Sequence, residues 1–231
     1  GTSLGGDAAG EGNVISANND SGVVISGAGT AGNTVSGNII GLASNGTSQL
    51  GNVEQGVALF DGAADNVIGG AAIEAGNIIG GNAGAAVLVD GAATIQNTIR
   101  FNQITDNFGT GIELSNGGNL QLAAPVITGL GSVSGTAVPG STVDLYTSTD
   151  EQGESYLATA VADGNGDFTS PVDVEPVVGL FITATATDAS GNTSEFSDGF
   201  FVDLEPPVLT LLGATPVTVQ CGDVYEDAGA T

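Results

Sequence analysis

Three short apolar words recur along the first half of the chain, always in the same order. One is an Asn-led pair: Asn13-Val14-Ile15-Ser16, Asn38-Ile39-Ile40-Gly41, Asn77-Ile78-Ile79-Gly80 and Asn102-Gln103-Ile104-Thr105. The next is Gly22-Val23-Val24-Ile25, then Gly56-Val57-Ala58-Leu59, Ala86-Val87-Leu88-Val89 and Gly111-Ile112-Glu113-Leu114. The last is Asn33-Thr34-Val35, Asn66-Val67-Ile68 and Asn97-Thr98-Ile99. Each is strand-length and alternates as a strand does. Three strands in rotation predict a solenoid whose coil is a triangle of strands. A longer period agrees. Leu4 recurs as Ile68, Asn13 as Asn77, Gly27 as Gly91 and Asn38 as Asn102, each 64 residues on, so two coils make one sequence repeat.

Alternation sorts the side chains. Gln103 and Glu113 are polar and must face out. Ile15, Ile40, Ile79 and Ile104 then line one inner face, and Val23/Ile25, Val57/Leu59, Val87/Val89 and Ile112/Leu114 a second. Val35, Ile68 and Ile99 fill the third. β-Branched residues stack well in such ladders. Glycines and asparagines are expected at the corners, where positive φ is needed, and asparagines in register can stack as amide ladders.

The pattern breaks at 120–125. Beyond it come seven longer alternating stretches, at 126–128, 133–138, 142–148, 156–162, 167–174, 181–187 and 195–202. That number suits an immunoglobulin-like sandwich. Val143, Leu145, Leu157, Phe168, Ile182, Ala184, Ala186 and Phe196 are its expected core. Asp203-Leu204-Glu205-Pro206-Pro207 then has the character of a linker, and 208–231 of a further domain cut short. The expected division is 1–122 coils, about four of them, 123–203 sandwich, and 204–231 linker with an incomplete Ig-like segment. The chain opens inside a repeat, as a piece of something longer would.

Composition narrows the function. The 231 residues hold 26 acids against one Arg, with no Lys or His, for a net charge of −25. Such a chain repels nucleic acid and anionic membranes. No apolar run reaches the ~20 residues of a membrane span. The charge suits a saline or calcium-rich exterior that screens it. A single cysteine, Cys221, excludes an intramolecular disulfide framework.

These words also carry a resemblance. Gly12-Asn13-Val14-Ile15-Ser16, the run Asn33-Thr34-Val35-Ser36-Gly37-Asn38-Ile39-Ile40-Gly41 and the loop Ala43-Ser44-Asn45-Gly46-Thr47 resemble right-handed parallel β-helix repeat proteins of bacterial surfaces. Thr183-Ala184-Thr185-Ala186-Thr187-Asp188 and Gly191-Asn192-Thr193-Ser194-Glu195-Phe196-Ser197 resemble a bacterial Ig-like module. Pro206-Pro207-Val208-Leu209-Thr210-Leu211-Leu212-Gly213 and Tyr225-Glu226-Asp227-Ala228-Gly229-Ala230-Thr231 resemble the opening of another such family. The resemblance implies an all-β chain: a right-handed three-faced parallel β-helix, an Ig-like β-sandwich and a partial further Ig-like segment. It also implies a secreted or cell-surface setting, among adhesins, matrix proteins and some polysaccharide-acting enzymes.

Catalytic readings are thin. A polysaccharide lyase needs a base, and Arg100 is the only basic side chain; its register partners Ser36 and Gly69 put it on an outer wall, as a solvated surface residue. A glycosidase needs two carboxylates about 5–10 Å apart. Asp61 and Asp90 fall at the same corner of successive coils, close enough to be a pair, but each precedes Gly, a common turn pair. For calcium, Asp163-Gly164-Asn165-Gly166-Asp167 has oxygen ligands at alternate positions, yet the twelfth position is Val174, where an EF-hand loop needs Glu. Asp163, Asn165 and Asp167 are candidate ligands against a Gly-rich hairpin. Asp203 and Glu205 are candidates for a calcium clamp between tandem domains. No other cofactor is indicated.

The outer ladders are the remaining signal. They run Val14, Ile39, Ile78, Gln103 and Val24, Ala58, Leu88, Glu113, apolar for three coils and polar at the fourth. Exposed apolar walls mark interaction sites. Val14, Ile39, Ile78, Val24 and Leu88 are therefore expected at an interface between copies. The expectation is a non-enzymatic structural protein, a segment of a bacterial surface fibre, sheath or adhesin forming homo-oligomers or homopolymers. A carbohydrate-active or carbohydrate-binding protein is the alternative, with polysaccharide or a cell-surface component as partner.

Overall fold

The computed structural model describes residues 1–8, 10–129, 132–170, 172 and 177–203. Among these the protein is all-β apart from two short 3-10 turns, Ile73–Ala75 and Gly118–Gln121. No helix of the described residues is long and apolar enough to cross a membrane.

The first twelve strands form three four-stranded sheets, every pairing parallel. The first wall holds Ser3–Gly5, Thr34–Ser36, Val67–Gly69 and Thr98–Arg100. The second holds Val14–Ile15, Ile39–Ile40, Ile78–Gly80 and Gln103–Thr105, the third Val23–Ser26, Val57–Phe60, Val87–Asp90 and Ile112–Ser115. The chain visits the walls in rotation, an arrangement consistent with a three-faced parallel β-helix. The register matches the sequence words: Ile15 with Ile40, Ile40 with Ile79, Ile79 with Ile104. These aliphatics, with Val35, Ile68, Ile99, Val57, Val87 and Leu59, make one buried core.

Asparagine stacking is the second holding force, and it runs deeper than a surface ladder. Asn13, Asn38, Asn77 and Asn102 form one column. In it each Nδ2 and each backbone N–H, from Asn13 to Asn77, donates to the Oδ1 of the next at 2.9–3.1 Å. Asn18, Asn52, Asn82 and Asn107 form a second column, and Asn33, Asn66 and Asn97 a third. Eight of these eleven amides are buried, all but Asn13, Asn18 and Asn33 of the first coil, which is tolerable because hydrogen bonds along the column satisfy them. The corner geometry differs from the expectation in one respect. These eleven asparagines are not left-handed; in most cases the preceding residue is, as at Ala17 (φ 58°), Asp65 (55°), Gln96 (60°), Phe101 (60°) and Asp106 (56°), whereas Asn119, which ends the third column, is itself left-handed (43°). That kink frees each Asn to point along the stack.

The second half is an antiparallel sandwich. One sheet joins Val126–Gly129, Val133–Thr136 and Asp167–Ser170; the other joins Ser155–Val161, Thr142–Ser148, Phe181–Thr187 and Phe200–Phe201. Val143, Leu145, Phe168, Ile182 and Ala184 fill its core, with Leu157 partly buried beside them. The strand expected at 195–202 shrinks to Phe200–Phe201, and Phe196 leaves the sandwich core altogether. Both departures have one cause, described next.

Candidate functional site

In an Ig-like sandwich each sheet buries one face and wets the other. Here Thr142–Ser148 and Phe181–Thr187 are buried on both faces. Val143, Leu145, Ile182 and Ala184 point into the sandwich. The alternate residues, Asp144, Tyr146, Thr183 and Thr185, lie on the opposite face, against the last coil.

The contact continues the hydrogen bonding of the coils. A parallel stack ends with unpaired backbone donors on its last turn. The sandwich supplies acceptors to them. Gln96 N–H donates to Asn192 Oδ1 (2.6 Å), Ile99 N–H to Thr193 Oγ1 (2.9 Å), Phe101 N–H to Tyr146 Oη (3.2 Å) and Ile104 N–H to the Gly153 carbonyl (3.1 Å). Asp106 N–H donates to Asp150 Oδ2 (2.7 Å) and Leu114 N–H to Glu195 Oε1 (2.8 Å). Gln152 extends the second asparagine column. Its Oε1 accepts from both the backbone N–H and Nδ2 of Asn107 (each 3.1 Å), as Asn107 itself accepts from Asn82 at 3.1 and 2.9 Å. Gln152 Nε2 then donates to the carbonyl of Asn107 at 2.7 Å. In the third column Asn119 Oδ1 accepts from Asn97 N–H, and Asn119 Nδ2 donates to the Thr193 carbonyl.

Phe196 plugs the apolar end of the stack, packing on the core that contains Ile99, Ile104, Ile112 and Leu114. Gly111 and Gly153 make the room: a Cβ on either would stand 2.8 and 2.4 Å from ring atoms of Phe196. The segment 193–198 keeps its place beside Phe181–Thr187 partly through hydroxyls, Ala184 and Ala186 donating their N–H groups to Ser197 Oγ and Ser194 Oγ. Thr193, Glu195 and Phe196 turn toward the coils, while the Ser194 and Ser197 hydroxyls take N–H groups that a regular neighbouring strand would pair with carbonyls. Tyr146 stacks edge-on against Phe196 and Tyr156, and Tyr156 against Phe101, at centroid distances of 5.5, 6.0 and 5.1 Å.

Arg100 closes the junction. Its Nε and Nη2 donate to Oδ2 and Oδ1 of Asp144 at 2.5 and 2.8 Å, and its guanidinium lies 4.6 Å from the Phe101 ring centre. Asp144 is wholly buried and also accepts from Thr159 Oγ1. The hydrogen bond to Asp144 raises the Arg100 pKa against the lowering effect of burial. Burial, then the Asp144 charge, pushes the Tyr146 phenol far above its usual range. The only cation of the chain is thus an interdomain clamp rather than a solvated surface residue. A bidentate guanidinium–carboxylate pair is the strongest polar contact available to this composition.

The expected site residues fall elsewhere. Asp163 Oδ1 accepts the backbone N–H groups of Asn165 and Asp167 at 2.7 and 3.0 Å, a tight hairpin before Asp167–Ser170. Those amides hold its pKa below the ordinary carboxylate value. Asp203 is exposed, and Glu205 lies outside the described residues. Among the described residues no group of three His, Cys, Asp or Glu side chains is placed to hold a metal. Asp61 has φ 57°, the geometry of a turn, and Asp90 accepts from Asn116 Nδ2 at 2.6 Å. The two are one residue out of register, since Val89 pairs with Leu59. On the walls, Val14 and Val24 are half exposed, Ile39, Ile78 and Leu88 half-buried. Ala58, expected outside, is buried, its methyl lying between Val24 and Leu88 of the adjoining strands.

Residues 122–203 match the bacterial Ig domain family. The match covers the sandwich and every side chain that it sends to the coils. No curated protein matches the chain in sequence.

Proposed function

We propose that this chain is a non-enzymatic structural segment of a secreted bacterial surface protein, part of a fibre, sheath or adhesin. In this reading residues 1–122 are a right-handed parallel β-helix and the Ig-like module is its C-terminal cap. The observation that carries it is the junction. What a next coil would supply, namely acceptors for the edge, a carboxamide for the column and an apolar plug, comes instead from the sandwich, as capping repeats close other solenoids. A joint so bonded makes one stiff unit from two modules, which suits load-bearing or display. Copies associate through the third wall, at Val24 and Leu88, once salt screens the charge.

The test is twofold. Turnover of acidic and neutral polysaccharides, with and without Ca²⁺, is expected to be absent. Sustained cleavage abolished by Asp61→Asn or Asp90→Asn overturns the structural reading in favour of a carbohydrate-active one. Light scattering should show mass growing with salt in the native chain and not in Val24→Ser. Monomers at every salt and Ca²⁺ concentration would remove the association.

A further inference from the structure

The outer face of the second wall is a trough. Val14, Ile39 and Ile78 form its floor, in register on successive strands. A hollow of about 540 Å³ lies over them, bordered by Asp7 and Glu74. A second, of about 340 Å³, shares Gly76 and Ile78 with the first and reaches Ile73, Phe101, Tyr156 and Glu154. The trough therefore runs from the first coil to the sandwich and is complete only when the two are docked.

Its chemistry is specific. The floor is aliphatic, so it favours apolar side chains that displace water. The charged groups at its rim, Asp7, Glu74 and Glu154, are all carboxylates. Asp7 and Glu74 are exposed, while Arg100, the one cation of the sequence, is held by Asp144. A second copy would bring another −25 with no cation to place on this rim. Over Val14, Ile39 and Ile78 a glycan would meet methyl groups, and the aromatics Phe101 and Tyr156 lie only at the sandwich end, packed edge-on against each other. Charge complementarity selects the remaining occupant.

We propose that this trough binds a basic amphipathic polypeptide segment of another protein, with aliphatic side chains on Val14, Ile39 and Ile78 and lysine or arginine at Asp7 and Glu74. The site goes beyond the structural role and is separate from the third wall used between copies. The two contacts have opposite salt dependence. Screening weakens attraction in the trough and relieves repulsion between copies.

The experiment is fluorescence anisotropy of labelled synthetic peptides against the whole chain. One peptide alternates valine and lysine; three controls put glutamine or glutamate for lysine, or serine for valine. The valine–lysine peptide should bind saturably, about tenfold or more tighter than the glutamine and serine forms, and the glutamate form should not bind. Its Kd should rise about tenfold between ~0.05 and ~0.5 M salt. Asp7→Asn/Glu74→Gln and Val14→Ser should each weaken it several-fold, and Val24→Ser should leave it unchanged. The proposal fails if the lysine and glutamine peptides bind alike, if lysine–serine binds as well as lysine–valine, or if the trough variants keep the native Kd. It fails equally if copies pair through Val14 and exclude the peptide. Failure of association through Val24 would leave this result untouched.

Discussion

Removing the Asp144 carboxylate should loosen the joint between coils and sandwich. In Asp144→Ala, Arg100 loses two charge-assisted bonds and its one ion-pair partner among the described residues. Breaking a fully buried pair from one side costs about 3–5 kcal/mol, because a charge is left without compensation. Asp144 is fully buried, but the Arg100 side chain retains 21% exposure, so water can recover part of the loss. The expected cost is therefore about 2–4 kcal/mol, reduced from that range by the exposure of Arg100. The pair is desolvated, so the loss should change little with salt. Urea denaturation followed by far-UV circular dichroism gives the total. Tyrosine fluorescence reports the joint, since Tyr146 and Tyr156 both sit in it. The double variant Arg100→Met/Asp144→Val should lie nearer the native protein than Asp144→Ala does, because both charges are gone. A loss under about 0.5 kcal/mol in Asp144→Ala, or a coupling energy of zero in the cycle, would refute the clamp.

Four further outcomes are expected. Ile79→Ala should cost about 2–5 kcal/mol by chemical denaturation, and Ile78→Ala clearly less, since Ile79 is fully buried and Ile78 only half. Asn77→Ala, which strips a buried rung donating to Asn102 and Val35 and accepting from Asn38, should cost at least about 3 kcal/mol, measured the same way. Thr183→Val should be neutral or stabilising by up to about 1 kcal/mol, because the buried Thr183 hydroxyl has no hydrogen-bond partner. Carboxyl NMR should find Asp163 titrating below ordinary aspartates; its hairpin bonds then stabilise above the ordinary pKa and are lost as pH falls through the lowered one, so hairpin amide shifts should move at lower pH than ordinary aspartates titrate.

The coils were legible because the sequence repeats and the walls are short. An inward Ile at every turn leaves one register that buries it, and a one-residue slip would expose the whole ladder. The sandwich strands were legible up to residue 187 for the same reason of alternation. The joint was not. Thr183, Thr185 and Tyr146 look like the wet face of a half-buried sheet, because small polar residues serve equally for a solvent face and for a polar interface. Glu195 and Phe196 alternate like a strand, and only the gap left by Gly111 and Gly153 gives Phe196 its other place. One hint was present. A sole Arg among 26 acids has many carboxylates to choose from, and a residue so rare is more telling in a structural contact than as a base. Which carboxylate it takes depends on the packing of one domain on the other, which local pattern does not encode.

The asparagine columns add a direction to the stack. Each carboxamide donates from Nδ2 to the Oδ1 of the next coil, so the amide-to-amide bonds all run one way, while Nδ2 of Asn38, Asn77 and Asn102 also reaches back to a backbone carbonyl of the coil before. The C-terminal end therefore offers donors, and a module rich in side-chain oxygens can close it: Asp150, Gln152, Asn192, Thr193 and Glu195 all do so. The opposite face of any coil offers carboxamide oxygens, as Asn13 and Asn18 do in the first turn. A cap made of acceptors is chemically wrong for that face. Lysine-free and acidic, the sandwich is matched to one polarity of the stack, so extreme composition and directed capping follow from the same supply of oxygen acceptors.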